Sequence, residues 1–230
     1  MISFDIEICD EFDLQRGEDL DEKGPFRISV AAIHDSETGR TRVWHDVDAS
    51  GAPAAHLDRA LARSVLEQLR EWQRGGKRIV AWNGLSFDIR WMGEAAGDLG
   101  LAREIARSLV DPMFQFFCLR GFPVGLQAVA TGLGLPLKKL MDGKDAPAEW
   151  NRGSRARVIE YVQEDCRITS LVCKAIEERR TIIWRTSKGS LSEQRMPKLL
   201  SVEQCLALPE PDTSWMDAPI PRAKFAGWLG

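Results

Sequence analysis

The chain has 230 residues, of which 44% are hydrophobic and 28% are charged. These values exclude a globally disordered or fibrous chain and predict one domain, or one domain with an appendage. The formal net charge of −3 excludes a protein that coats nucleic acid through bulk positive charge. The 5 cysteines contain no CxxC pair, so we expect buried thiols in a reducing compartment.

The first segment of the chain is predicted to be a half-buried strand. Apolar and polar residues alternate over Ile2–Ile8, so one face belongs to the core and the other carries Asp5 and Glu7. Two carboxylates this close repel each other unless a cation lies between them. The opening strand is therefore a candidate metal-binding element.

Strand and helix signals alternate through the next part of the chain. Further strands are predicted over residues 26–34, 40–45, 78–82 and 109–117. Helices are predicted over residues 57–72, from residue 87 with Ser86 as its N-cap, over 126–133 and over 154–178. This order predicts an α/β fold with a mixed central sheet flanked by helices, antiparallel over its first three strands and parallel after the first crossover.

Three more side chains are expected beside the paired carboxylates. Asp88 follows a buried strand in the first turn of a helix, at the carboxyl edge of the sheet where α/β proteins bind ligands. Tyr161 and Asp165 are one turn apart on the long helix, so their side chains project together. Oxygen ligands of this kind suit Mg²⁺ or Mn²⁺ rather than zinc or copper.

Three motifs resemble those of a nuclease family. FDIE at residues 4–7, NGLSFD at 83–88 and YVQED at 161–165 are similar, in order and separation, to the three motifs of the DEDD (DnaQ-like) 3′–5′ exonucleases. The first two are most similar to those of the proofreading domain of family-B DNA polymerases. The single tyrosine of the chain occupies the third motif, and Glu160 stands where the histidine branch has its histidine, which favours the tyrosine (DEDDy) branch.

The resemblance implies a ribonuclease H-like fold and two-metal hydrolysis of phosphodiester bonds. Asp5 would bridge two Mg²⁺ or Mn²⁺ ions, while Glu7 and Asp165 would hold the ion that carries the nucleophilic water. Asp88 would serve the second ion, largely through water. Tyr161 would orient the attacking water.

The expected substrate is a single-stranded DNA 3′ end, which is shortened with release of nucleoside 5′-monophosphates. Asn83 either contacts this substrate or only forms a turn, and Phe87 either contacts it or packs in the core. An exoribonuclease and a non-catalytic nucleic-acid-binding module remain alternatives. The intact set of four acids and one tyrosine argues against the binding module.

The motifs leave the last part of the chain unassigned. We expect an exonuclease domain over residues 1–180 and a C-terminal extension over 181–230 packed on it, with no room for a polymerase domain. Within the extension, a hairpin at 181–196 is expected to border the substrate path, whereas the tail at 209–230 is expected to be structural. Neither a targeting signal nor a membrane span is recognised, so a cytoplasmic protein is expected.

Overall fold

The centre of the fold is a mixed sheet. The computed structural model describes residues 1–13, 15, 18–136 and 140–230. Within these residues the sheet has four strands, namely β1 (Ile2–Ile8), β2 (Ile28–Asp35), β3 (Arg40–Trp44) and β4 (Ile79–Val80). Their order is β3-β2-β1-β4, with β1 antiparallel to β2 and parallel to β4. The predicted α/β class and mixed sheet are confirmed.

Helices cover both faces of this sheet. The helices of the described residues are α1 (Arg59–Arg74), α2 (Asp88–Ala96), α3 (Leu99–Ser108), α4 (Pro112–Arg120), α5 (Leu126–Gly132), α6 (Ala146–Asn151), α7 (Arg155–Arg179), α8 (Val202–Leu206) and α9 (Ala223–Ala226). Ala31 and Ile33 of β2 face the core shared with α1 and α2, whereas Val30 and Ala32 face α7. The sheet is thus a layer between two apolar cores.

The polar face of β1 is turned towards α7. The Ser3 hydroxyl donates to the Cys166 carbonyl at 2.6 Å and shares a second hydrogen bond with the Ser170 hydroxyl, also at 2.6 Å. These contacts fix the register of α7 over β1. Because side chains alternate along a strand, Asp5 and Glu7 lie on the same face as Ser3 and meet the preceding turn of the helix.

The strand predicted over residues 109–117 is wrong. Val110 makes only isolated bridges, and α4 begins two residues later at Pro112. Asp111 is the N-cap of α4, and its carboxylate accepts the N–H of Phe114 at 3.0 Å. The first seven residues of this helix are all buried, so they carry no 3.6-residue period. An apolar run without a helical period is equally consistent with a buried strand, which explains the wrong strand prediction.

The N-cap predicted at Ser86 is also wrong. Phe87 occupies the cap position of α2 and makes no capping bond with its side chain. Backbone carbonyls serve instead of a side-chain cap. The Asn83 carbonyl accepts the N–H of Phe87 at 3.0 Å, and the Gly84 carbonyl accepts the N–H of Ile89 at 2.9 Å. The turn itself therefore starts the helix that carries Asp88.

Other predicted features are confirmed. Strands β5 (Thr181–Arg185) and β6 (Leu191–Arg195) form the expected hairpin. Helix α8, which follows the hairpin, begins with a capping box between Ser201 and Gln204. All five cysteines are buried free thiols. Across the part of the chain that the structure describes, no helix combines the length and apolarity needed to cross a bilayer.

The C-terminal tail packs on the first part of the chain. Phe225 and Leu229 are buried in the core shared with α3 and α4. The Trp228 indole N–H donates to the Leu85 carbonyl at 2.9 Å, and the Trp228 carbonyl accepts from the Arg103 guanidinium at 2.8 Å. The tail therefore supports the turn between β4 and α2.

We expect Trp228→Ala to lower the free energy of unfolding by about 2 kcal/mol, because it removes a hydrogen bond and the contacts of a half-buried indole. In a thermal melt this is a fall in Tm of roughly 4–8 °C for a chain of this size. Trp215→Ala is the matched control, since 62% of Trp215 is exposed and its loss should change Tm little. Equal melting of wild type and Trp228→Ala would show that the tail is dispensable for stability.

Candidate metal centre and active-site cleft

Three carboxylates converge where β1 meets α7. Oxygens of Asp5, Glu7 and Asp165 all lie within 4.8 Å of one another. The two-residue period of β1 puts the first two on one face, and the register set by Ser3 brings the third over them. Three carboxylates at this separation are a donor set that fits a hard divalent cation such as Mg²⁺ or Mn²⁺.

The fourth predicted acid lies beside this group but is held differently. Asp88, in the first turn of α2, is buried, and its carboxylate accepts the backbone N–H of Ile6 at 2.9 Å. It also shares a hydrogen bond with the Asp5 carboxyl group. The structure thus brings all four acids to one place, with Asp88 fixed to the backbone of β1.

Burial raises the pKa of every acid in this group, and repulsion from the other members adds to the shift at Asp5 and Glu7. Burial is the largest cause for Asp5, followed by the charges of Asp88, Asp165 and Glu7, and it raises the Asp5 pKa well above its usual range. Burial, followed by Asp165 and Asp88, also raises the pKa of Glu7. The pKa of Asp88 is raised to about 7 and that of Asp165 to about 6, again mainly by burial. The cluster therefore holds protons near neutral pH unless a cation replaces them.

Tyr161 stands over the cluster as a neutral phenol. It lies one helical turn before Asp165, and its hydroxyl contacts the Asp165 carboxyl group. Burial, followed by the charges of Asp165 and Glu7, raises the pKa of Tyr161 further above its usual value. A phenol in this state donates a hydrogen bond and does not act as a base at neutral pH.

The acids form one wall of a cavity of about 360 Å³. The cavity is also lined by Phe12, Trp82, Asn83 and Phe87. Both predicted substrate-binding residues therefore reach the same cleft as the acids. Phe87 at the same time packs against Phe26, with ring centroids 5.8 Å apart, so it serves the core as well.

Asn83 has two features that a simple turn does not require. Its φ of +66° lies in the left-handed region, which asparagine tolerates better than most residues. Its side-chain oxygen is buried and has no hydrogen-bond partner among the residues that the structure describes. A buried orphan acceptor at the edge of the cleft is a group that a bound ligand can satisfy.

Asp111 is a residue of the site that the sequence pattern does not predict. Its buried carboxylate accepts the N–H groups of Asn83 at 3.1 Å and Leu85 at 3.0 Å, besides that of Phe114. Burial raises the Asp111 pKa to about 6, although these hydrogen bonds oppose the shift. The carboxylate holds the turn that leads to Asp88. The Asp-Pro pair that opens α4 is a signal for the start of a helix, but the apolar run after it also fits a strand.

Comparison with known proteins places this chain in a family. A family model of the RNase H superfamily matches residues 36–177, which is more than half of the chain. The chain therefore belongs to the RNase H superfamily. The match begins after β1, so Asp5 and Glu7 lie outside it.

A solved structure gives the same fold. The chain is similar to the family B DNA polymerase from the hyperthermophilic archaeon Pyrobaculum calidifontis, with 22% identity and a TM-score of 0.51. The match covers 77% of this chain and 24% of the polymerase chain, so the protein spans about a quarter of that polymerase. No curated protein matches the chain. The predicted ribonuclease H-like fold is confirmed, and superfamily membership indicates a nuclease that acts on nucleic acid.

The raised pKa values predict how stability depends on pH. Acids whose pKa is higher in the folded state bind protons that the unfolded chain releases, so the stability they support is lost as pH rises. Asp165 and Asp88 therefore lose their contribution to stability as the pH rises from about 4 to about 7. We expect Asp5→Asn to raise the Tm of the metal-free protein more at pH 8 than at pH 4, because it removes one of the repelling charges.

Added Mn²⁺ should raise the Tm of the wild type at pH 8. The rise in Tm should be smaller at pH 4, because protons occupy the carboxylates there. Asp217→Asn is the matched control, since Asp217 is exposed on the C-terminal tail and does not line the cavity that holds the cluster. The melts are followed by circular dichroism in chelator and in Mn²⁺. If Asp5→Asn and Asp217→Asn behave alike, the carboxylates at β1 do not repel one another as described.

Proposed function

We propose that the protein is a metal-dependent 3′–5′ exonuclease that removes nucleoside 5′-monophosphates from the 3′ ends of single-stranded DNA. The observation that carries the proposal is the convergence of Asp5, Glu7 and Asp165 within 4.8 Å, with Asp88 and Tyr161 beside them. The direction of degradation and the preference for DNA rest on the resemblance of the three motifs. The division into an exonuclease domain over 1–180 and an extension over 181–230 belongs to the same proposal.

The chain's carboxylates would hold Mg²⁺ or Mn²⁺, with Asp5 central and Glu7 and Asp165 on either side. When bound, two such ions would acidify a water molecule and neutralise charge on the scissile phosphate. Asp88 would keep Asp5 in place through their shared hydrogen bond and through its bond to the Ile6 N–H. Without cations, this acidic cleft repels a phosphodiester.

Tyr161 would orient the attacking water. Its phenol stays protonated, since burial and the neighbouring carboxylates raise its pKa. It can therefore donate a hydrogen bond to a water or a phosphate oxygen above Asp165. Asn83 would contact the terminal nucleotide through its orphan oxygen, and Phe87 would contribute an apolar wall.

The experiment that tests the proposal combines one variant with blocked substrates. Wild-type protein and Asp5→Ala are incubated with single-stranded DNA carrying a 5′ label, in Mg²⁺, in Mn²⁺ and in EDTA. We expect stepwise shortening from the 3′ end by the wild type in either metal, none in EDTA and none by Asp5→Ala. A 3′ block should protect the strand and a 5′ block should not.

Matched controls separate chemistry from folding. Asp217→Ala, at an exposed aspartate, should keep full activity, and Asp5→Ala should melt no lower than the wild type. An RNA strand of the same sequence decides between a deoxyribonuclease and an exoribonuclease. Full turnover in EDTA would contradict the metal mechanism, and cleavage of a circular single strand would indicate an endonuclease.

Tyr161→Phe should retain binding but lose about 10²–10³-fold in kcat, the usual contribution of a positioned proton donor. Asp165→Ala removes a carboxylate from the candidate metal site and should lower kcat further than Tyr161→Phe does. Single-turnover rates on labelled DNA measure both. A Tyr161→Phe protein as active as the wild type would mean that the tyrosine only packs against the apolar cluster that includes Ala146 and Trp150.

A further inference from the structure

A second groove lies beyond the active-site cleft. It has a volume of about 660 Å³ and is formed by the end of α4, residues 122–125, the β5–β6 hairpin and the C-terminal tail. The side chains that matter most in it are Arg120, Phe122, Trp184, Arg185 and Trp215. Two of these come from residues 181–185 and one from the tail, all outside the segment matched by the RNase H family model.

The groove is joined to the active-site cleft by an intermediate cavity of about 480 Å³. This cavity shares Trp82, Asn83 and Phe87 with the cleft that holds the carboxylates. At its other end it shares residues 123–125 with the second groove. The three spaces therefore follow one another along the surface, from the acids to the hairpin.

Trp215 is exposed but held in a fixed orientation. Its indole N–H donates to the Asp212 carbonyl at 3.1 Å, and its ring meets Phe122 edge-on at 6.0 Å. Gly121, with φ +79°, lets the tail come close, because a Cβ there would lie 2.4 Å from the Thr213 side chain. With 62% of the residue exposed, the indole is positioned to stack on a flat partner.

The hairpin is an equally fixed wall. Ile182 and Trp184 are buried, and Trp184 meets Phe116 edge-on at 4.9 Å. Helix α5 approaches β5 so closely that a Cβ on Gly132 would lie 2.5 Å from the Ile183 carbonyl oxygen. A groove with pre-ordered walls loses little conformational entropy when it binds a flexible ligand.

The groove is positively charged. Arg120 is exposed, and its guanidinium donates to the Gln194 side chain at 3.4 Å. Among the described residues no acid lines the groove, and neither Arg120 nor Arg185 forms a salt bridge with any of them. The charge of the groove is therefore opposite to that of the carboxylate cleft.

We propose that this groove binds the upstream part of a single-stranded nucleic acid whose 3′ end lies in the carboxylate cleft, an assignment that rests on the proposed function. Trp215 stacks on a base, and Arg120 contacts the backbone phosphates. An exposed aromatic beside unneutralised arginines is the combination that binds single strands without sequence preference. The continuity of the three spaces supplies the path between the groove and the cleft.

The test is binding of 5′-fluorescein oligothymidylates with hydrolysis-resistant linkages to the full chain in Mn²⁺, measured by fluorescence anisotropy. We expect Trp215→Ala to weaken binding of a strand of about 12 nucleotides by roughly tenfold, the loss of one stacked base. Arg120→Ala should weaken it similarly and make the salt slope shallower by about 0.7, the value for one phosphate on a single strand. Binding of a trinucleotide, which is too short to reach the groove from the cleft, should not change.

Two matched variants control for surface changes elsewhere. Arg40→Ala removes an exposed arginine from β3, the far edge of the sheet, and Val47→Ala removes an exposed apolar side chain outside the groove. Both should bind the long strand like the wild type. Unchanged affinity in Trp215→Ala and Arg120→Ala would overturn the proposal. So would a change in oligomeric state of Trp215→Ala by sedimentation without loss of DNA binding, since the groove would then be a protein contact.

Activity in Mg²⁺ or Mn²⁺ is measured separately, so the two proposals fail in different ways. If the variants lose binding while the wild type hydrolyses no nucleic acid, the groove is a binding site and the exonuclease proposal is wrong. If the wild type hydrolyses long and short strands and the variants match it in affinity and kcat/KM on both, the exonuclease proposal stands and the groove has no part in it.

Discussion

Mutual repulsion among the carboxylates that β1, α2 and α7 bring together is the constraint on which the rest of the structure depends. Burial alone disfavours each charge, and the neighbouring acids add to that cost at Asp5 and Glu7. A fold can keep such a cluster only if its scaffold is stable without it. Two apolar cores provide that stability, one on each face of the sheet, and β1 lies between two partner strands rather than at an edge.

Hydrogen bonds to the backbone then place each acid. The Ser3 hydroxyl ties β1 to α7, which aligns Asp165 with the carboxylates of the strand. Asp88 is tied to β1 by the Ile6 N–H, and Asp111 holds the turn before it. Charge repulsion is thus opposed by short polar contacts between elements that are distant in sequence. Such contacts keep the site pre-ordered, which is what selective binding of a small cation requires.

Much of the site could be predicted from sequence because its signals are local. The alternation along β1 puts Asp5 and Glu7 on one face, and the four-residue spacing puts Tyr161 beside Asp165. The role of Asp111 could not be predicted this way, since its partners Asn83 and Leu85 are far from it in the chain. The apolar run of α4 has no helical period, so residues 109–117 were predicted to be a strand. The groove beside Trp215 forms because the C-terminal tail packs against the end of α4. Local sequence patterns do not predict such a contact between distant segments.

The most direct test of the catalytic assignment is a crystal structure with Mn²⁺ and a single strand whose 3′-terminal linkage resists hydrolysis. Anomalous scattering locates the manganese independently of any assumption about the site. We expect manganese bound to Asp5, Glu7 and Asp165, with the 3′-terminal phosphate against the metal and Tyr161 above it. Manganese bound elsewhere, or a 5′ end or mid-strand phosphate at these carboxylates, would contradict it.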